Sequence, residues 1–234
     1  MDVDLVKRRV SNSSRHELTP ADAQHFLADQ VYPRILAQEG AFILHAGGFT
    51  FNDAAILLIG PSGRGKSTLI ASFSQAGVQA MGDDACWVAG SADKSMARSL
   101  YPSLRLLPDS IEAIFERPIE TAPVGPHTDK RRLAAHLEAR PHAMPIAAIF
   151  SIAQPSPDGI IVRPMSIANA CMTCVENSFA LDPSDALQAK LRLEQASALA
   201  RAVPAFEISY PRDYARLPEV RQAILDQVSA LAPA

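Results

Sequence analysis

Cysteine is scarce in this chain: Cys86, Cys171 and Cys174 are the only three in 234 residues. An odd, widely spaced set excludes the disulfide framework of a small secreted protein. Excess charge is missing too. Lys and Arg total 22 against 25 Asp and Glu, a net charge of −3, which argues against a broad basic face for nucleic acid. No apolar run approaches the roughly 18 residues of a membrane span. Met1 to Ser14 is charged and polar, without the apolar stretch of a signal peptide. Internal repeats and low-complexity segments are absent. What remains is the expectation of a soluble, cytoplasmic protein with no nucleic-acid or membrane partner; a homo-oligomer stays open. The hydrophobic fraction of 48% is ordinary for a globular chain.

Against these absences, one stretch stands out: Gly60-Pro61-Ser62-Gly63-Arg64-Gly65-Lys66-Ser67-Thr68, which reads G-x-x-x-x-G-K-S. Ala54 to Ile59 before it is an apolar run of buried-strand length. Leu69, Ile70 and Phe73 after it share one helix face, and Gly77 can end that helix. Strand, glycine-rich loop and helix form the context a phosphate-binding loop requires. Glycines let the backbone N–H groups wrap a phosphate, and the helix N-terminus adds partial positive charge. Lys66 would reach the β- and γ-phosphates of a nucleotide, and the Ser67 hydroxyl would hold Mg²⁺.

Elsewhere the pattern predicts a disordered tail over 1–16 and a helix starting at Thr19-Pro20, kinked at Pro33 and ended by Gly40. Ala41 to His45 reads as a strand, Gly47-Gly48 as a loosening of it, and Asn52-Asp53 as the turn into the next strand. Short strands are expected at Val78–Met81 and Ala85–Val88, with a polar turn from Gly90 to Lys94. A helix capped by Asp109 follows, then a proline-rich loop over 117–128 and a short helix over 131–140. Ile146–Ile152 and Gly159–Val162 read as a strand pair. Helices over 166–179 and 185–202, a strand over 205–210 and a closing helix over 217–231 complete an α/β pattern.

A phosphate-binding loop does not supply carboxylates. Asp83-Asp84 lies seventeen and eighteen residues beyond Lys66, directly after a short apolar strand. That position is the site edge of an open α/β sheet. If extended there, the two side chains point to opposite sides and divide two tasks, ordering Mg²⁺ and accepting a hydroxyl proton. His45, fifteen residues before Gly60, falls on a strand beside the loop strand. Cys171-Met172-Thr173-Cys174 spells C-x-x-C, but a zinc site needs about four ligands, so the pair reads as buried helix residues.

In order and approximate spacing, His45, the Gly60–Ser67 loop and Asp83-Asp84 resemble the catalytic domain of HPr kinase/phosphorylase, which phosphorylates a serine on a small carrier protein. The match covers residues 41–90. The resemblance implies a P-loop NTPase-like, HPr kinase/PEP carboxykinase-type sheet flanked by helices, filling one domain over 17–234. It also implies ATP and Mg²⁺ as cofactors, Asp83 as proton acceptor with His45 orienting it, and Asp84 with Ser67 as metal ligands. Arg105 is the candidate for stabilising charge on the transferred phosphoryl group, against the alternative of a surface arginine. The departures are specific. Residues 1–40 are too few for the family's separate N-terminal domain, Pro61 stands where an acidic residue is usual, and the Pro-Gly-Arg-Asn segment used in dephosphorylation is missing. Tyr101 to Ser110 instead looks like the shorter HPr-kinase-like proteins encoded with ribosomal peptide clusters, some of which are serine kinases on lasso-peptide precursors. The expected partner is therefore a peptide or small protein. HPr itself is the alternative acceptor, and a nucleotide-binding regulatory module is the rival of another class. Lys130-Arg131-Arg132 could bind phosphate or an acidic peptide, or form a solvated basic turn.

Overall fold

The computed structural model describes residues 2–4, 9–11, 23, 26–91, 94–101, 103–125, 128–133 and 142–231. The architecture is mixed α/β: a curled, mainly antiparallel sheet covered by helices on both faces. At its centre lies β5 (Ala54–Ile59), flanked by β4 (Ala46–Phe51) in antiparallel and β12 (Met144–Ile152) in parallel register. β14 (Ala205–Ser209) runs parallel to β12 on its far side. Hydrophobic residues on β5 divide between two cores. Ile56 and Leu58 pack on one face, Ala55, Leu57 and Ile59 on the other. This alternation is that of a strand buried on both sides, and it accounts for the uninterrupted apolar run.

One face carries α2 (Lys66–Gln75) and α6 (Leu217–Ser229), through Leu69, Ile70, Phe73, Val220 and Ile224. Phe49 stacks on Phe73 there with ring centroids 3.8 Å apart. The opposite face carries α4 (Ile167–Glu176) and α5 (Ala186–Ala202), through Cys171, Cys174, Ala196 and Leu199. Each fully buried large apolar side chain contributes about 1.5–3 kcal/mol. Both cysteines are thus core residues of α4, and burial pushes the Cys174 thiol up to about 12.

Several expectations hold. Asn52 and Asp53 both have positive φ, 50° and 57°, the geometry of a tight two-residue hairpin turn. Ser166 and Asp185 cap α4 and α5 through their side chains. Gly40 ends α1 (Tyr32–Gln38), which continues a short π-helical stretch, Leu27–Val31. The expected helix start at Thr19-Pro20 lies outside the described residues, as does most of the 1–16 tail. Within that tail, β1 (Asp2–Asp4) pairs with β2 (Arg9–Ser11).

Others are corrected. The turn from Gly90 to Lys94 is shorter than expected, because β7 (Cys86–Ser91) continues through Gly90 and pairs with β8 (Lys94–Ser99). The proline-rich segment contains β10 (Thr121–Gly125), whose Pro123 is tolerated because β10 is the edge of a three-stranded sheet. Residues 131–133, expected in a helix, belong to β11 (Thr128–Leu133), which pairs with β9 (Leu104–Leu106); residues 134–140 are not described. α3 (Pro108–Ile114) starts one residue before Asp109 and has Leu107 at its cap. β13 (Ile161–Pro164) pairs with β14 rather than β12. His45 falls between β3 (Phe42–Leu44) and β4, where the chain leaves β7 as its neighbour and joins β5.

Candidate functional site

The glycine-rich loop connects β5 to α2 as the motif demands. Gly60, Gly63 and Gly65 have φ of 131°, 76° and 93°, a region that side chains with a Cβ rarely adopt. At Gly60 a Cβ would also stand 3.0 Å from the Ile152 carbonyl oxygen. Pro61, Ser62 and Gly63 are exposed, whereas Lys66 is buried. Its Nζ donates to the carbonyls of Gly60 at 2.6 Å and Pro61 at 3.2 Å. Burial lowers the Lys66 pKa to about 8, against the pull of the nearby Asp84 carboxylate. A cleft of about 400 Å³ opens on the loop from Ser62 to Thr68. Tyr210, Arg212 and Tyr214 line it as well. Arg212 donates to the Gly63 carbonyl at 2.9 Å. The Tyr214 hydroxyl donates to Asp109 at 3.0 Å and lies 3.1 Å from the Ser110 hydroxyl, which reaches Thr68 at 3.3 Å.

The two adjacent carboxylates follow β6 (Ala80–Gly82) as expected, but they diverge by a bend and not by a pleat. Asp84 has φ 73°, a left-handed conformation that Asp tolerates better than most residues. Asp83 is 1% exposed. Its Oδ2 accepts the Arg105 main-chain N–H at 3.0 Å, and its Oδ1 has no partner among the described residues. Burial first, and the Asp84 charge second, raise its pKa to about 7; the Arg105 guanidinium and the Ser67 hydroxyl pull the other way. Asp84 lines the cleft instead.

Arg105 is not a surface arginine: it is 6% exposed. Its guanidinium forks onto Asp29, Nη1 to Oδ2 and Nη2 to Oδ1, and Nη2 also meets Asp84 Oδ2 at 2.5 Å. Main chain and side chain together tie Arg105 to three carboxylates. Asp29, from the π-helical stretch, has no sequence signal that marks it; its partner is 76 residues away.

His45 also joins the group, though by another contact than expected. Its Nδ1 lies 2.9 Å from the main-chain carbonyl of Asp84 and therefore donates to it; the ring does not orient the Asp83 carboxylate by a hydrogen bond. Burial and then the Lys66 charge lower the His45 pKa, so the ring is neutral at pH 7. Nε2 is then its acceptor atom.

The basic triplet divides. Arg131 is held inside the hairpin by Thr121, through Nε at 2.6 Å and Nη2 at 3.1 Å. Lys130 lines the loop cleft together with His45, Asp84 and Arg105. The same four residues also line a second cleft of about 950 Å³. The two clefts thus meet at His45, Ser62, Asp84, Arg105 and Lys130.

Magnesium binds hard oxygens and, beside phosphates, needs only one or two from protein. The Ser67 hydroxyl and the Asp84 carboxylate both lie on the loop cleft and could supply such oxygens. Among the described residues no cluster of three or more His, Cys, Asp and Glu side chains could hold a metal alone. Among the described helices none is long and apolar enough to cross a membrane.

No protein-family model and no curated protein matches the chain. Among solved structures, it is similar to the HPr(Ser) kinase/phosphatase from Coxiella burnetii, at 11% identity and a TM-score of 0.42, over 81% of this chain and 99% of that one.

Proposed function

We propose that this chain is an ATP-dependent kinase, with residues 17–234 as one catalytic domain, that transfers the γ-phosphate to a hydroxyl of a peptide or small protein. Serine is the preferred acceptor. A ribosomal peptide precursor of the lasso type is the leading substrate, and HPr is the runner-up. The observation that carries the reading is the meeting of two clefts at Asp84, with the Gly60–Thr68 loop on one and Asp83 directly behind. ATP would lie along the loop, its β- and γ-phosphates against Lys66. Mg²⁺, held by Ser67 and Asp84, would supply positive charge across the phosphate oxygens.

In transfer, the acceptor oxygen forms a bond to the γ-phosphorus as the bond to the β,γ-bridging oxygen breaks. The hydroxyl proton passes to Asp83, and ADP leaves carrying the bridging oxygen. A pKa of about 7 suits Asp83 to that task. A loose transition state asks for positioning and charge neutralisation more than for a strong base. Arg105 acts here as a positioning residue, because Nη1 is engaged by Asp29 and Nη2 by Asp29 and Asp84.

A second reading, a nucleotide-binding switch without transfer, draws support from the 1% exposure of Asp83, which suits a structural carboxylate. Asp83→Asn separates the two. In the kinase reading ATP still binds, since its cradle is the loop, while transfer falls about 10²–10⁴-fold. Binding by calorimetry and transfer to peptide by intact mass are read on one preparation. Unchanged transfer removes Asp83 from the chemistry, and no transfer by the unaltered protein to either the precursor peptide or HPr favours the switch.

A further inference from the structure

The larger cleft runs past the junction to a wall that the nucleotide reading does not use. Arg34 and Arg192 line this cleft and not the loop cleft, and Lys130 stands at the junction itself. Among the described residues none of these three cations pairs with a carboxylate. Arg34 is steadied by the Gln30 carbonyl at 2.6 Å and lies over the Phe179 ring, 5.3 Å from its centroid. Arg192 has its Nε–H buried without an acceptor among the described residues. Of the acidic residues on this cleft, Asp29 and Asp84 are engaged by Arg105. Among the described lining residues, Glu176 alone is left to balance three cations. The volume, about 950 Å³, is at the upper end of the range for small-molecule pockets, room enough for several residues of an extended chain.

We propose that this cleft is the acceptor subsite and that it selects a serine-bearing peptide with acidic residues beside the serine, held by Arg192, Arg34 and Lys130; the hydroxyl chemistry rests on the kinase reading above. Guanidinium groups suit carboxylates because their planar donors match both oxygens. The serine would then lie at the junction, next to His45 and Asp84, with its flanking carboxylates on the cationic wall. Charge complementarity of this kind fixes register as well as affinity.

The test uses three fluorescein-labelled pentapeptides with a central serine, flanked on both sides by Glu, Gln or Lys. Affinity is read by anisotropy with the full chain, ADP and Mg²⁺. The Glu peptide should bind about tenfold more tightly than the Gln peptide, as one charge-assisted hydrogen bond allows, and the Lys peptide most weakly. Arg192→Glu should abolish or invert that order while ADP affinity stays unchanged, which also reports that the variant is folded. Arg192→Gln is the milder companion and should bring the Glu and Gln peptides together. Equal binding of all three peptides, or an order untouched by both variants, overturns the proposal. An Arg192-dependent preference for Glu without phosphate transfer upholds the subsite and counts instead against the kinase reading.

Discussion

Asp83 receives the main-chain N–H of Arg105 on Oδ2 at 3.0 Å, so the carboxylate buried behind the cleft is fixed by the same residue whose side chain holds Asp84. Asp29 completes this arrangement by accepting from both Nη1 and Nη2 of the guanidinium. Removing its side chain would take the fork from buried Asp29 and the ion pair from partly exposed Asp84. Arg105→Ala should therefore cost about 3–5 kcal/mol of stability, read by urea unfolding.

Asp29→Asn isolates the positioning role. With the fork weakened, Arg105 has Asp84 as its principal carboxylate partner and competes better with a metal for it. The Mg²⁺ concentration needed for half-maximal activity should rise several-fold, and so should the Mn²⁺ dissociation constant measured by electron paramagnetic resonance in the presence of ADP. ADP affinity without metal should not change. An unaltered metal requirement in a folded variant would show that Asp29 serves the fold alone.

Asp83 also sets a pH dependence of stability. Its pKa rises from 3.8 to about 7 on folding, chiefly through burial, so the folded chain binds this proton more tightly than the unfolded one. The contribution is fully present below pH 4 and is lost as pH rises from about 4 to about 7. Asp83→Asn keeps the shape without the charge. At pH 8 it should melt above the unaltered protein, at about 2–4 °C for each kcal/mol recovered, and the difference should vanish near pH 4. Equal melting temperatures at pH 8 would contradict the buried, raised carboxylate.

The loop, the strand before it and the helix after it were legible because their determinants are local: glycines at tight positions, an apolar run and a helical stripe within some twenty residues. Asp83-Asp84 was legible by position, though the left-handed bend at Asp84 was not. What the sequence hid depends on distant neighbours. Pro123 reads as a loop residue until β11 covers only one of its strand's edges. Asp29 means nothing until Arg105 arrives beside it. Gly47 reads as a loosening of a strand, yet a Cβ there would stand 2.4 Å from Ile70 Cδ1 and 3.1 Å from Asp83 Cα. Its task is close packing against the helix and the site, so Gly47→Ala should reduce transfer by displacing Asp83, alongside a loss of stability.

Lys66 predicts how nucleotide binding follows pH. Burial holds its pKa near 8, so the ammonium is present at pH 7 and fades above pH 8. ATP affinity should be level from pH 6.5 to 7.5 and then fall, approaching tenfold per pH unit above 8. Calorimetry at pH 7 and pH 9 reads this directly. A flat profile would mean that Lys66 does not meet the phosphates.

The most direct measurement of the central claim follows the γ-phosphate itself. The purified chain, Mg²⁺ and ATP labelled on the γ-phosphate are incubated with a lasso-type precursor peptide carrying a serine and, in parallel, with HPr. Label should appear on a serine of the peptide, with a loss of about 10²–10³ in rate for Lys66→Ala, the cost of one preorganised phosphate donor. Label that stays on ATP in both incubations, or transfer that Lys66→Ala leaves unchanged, would contradict the kinase reading.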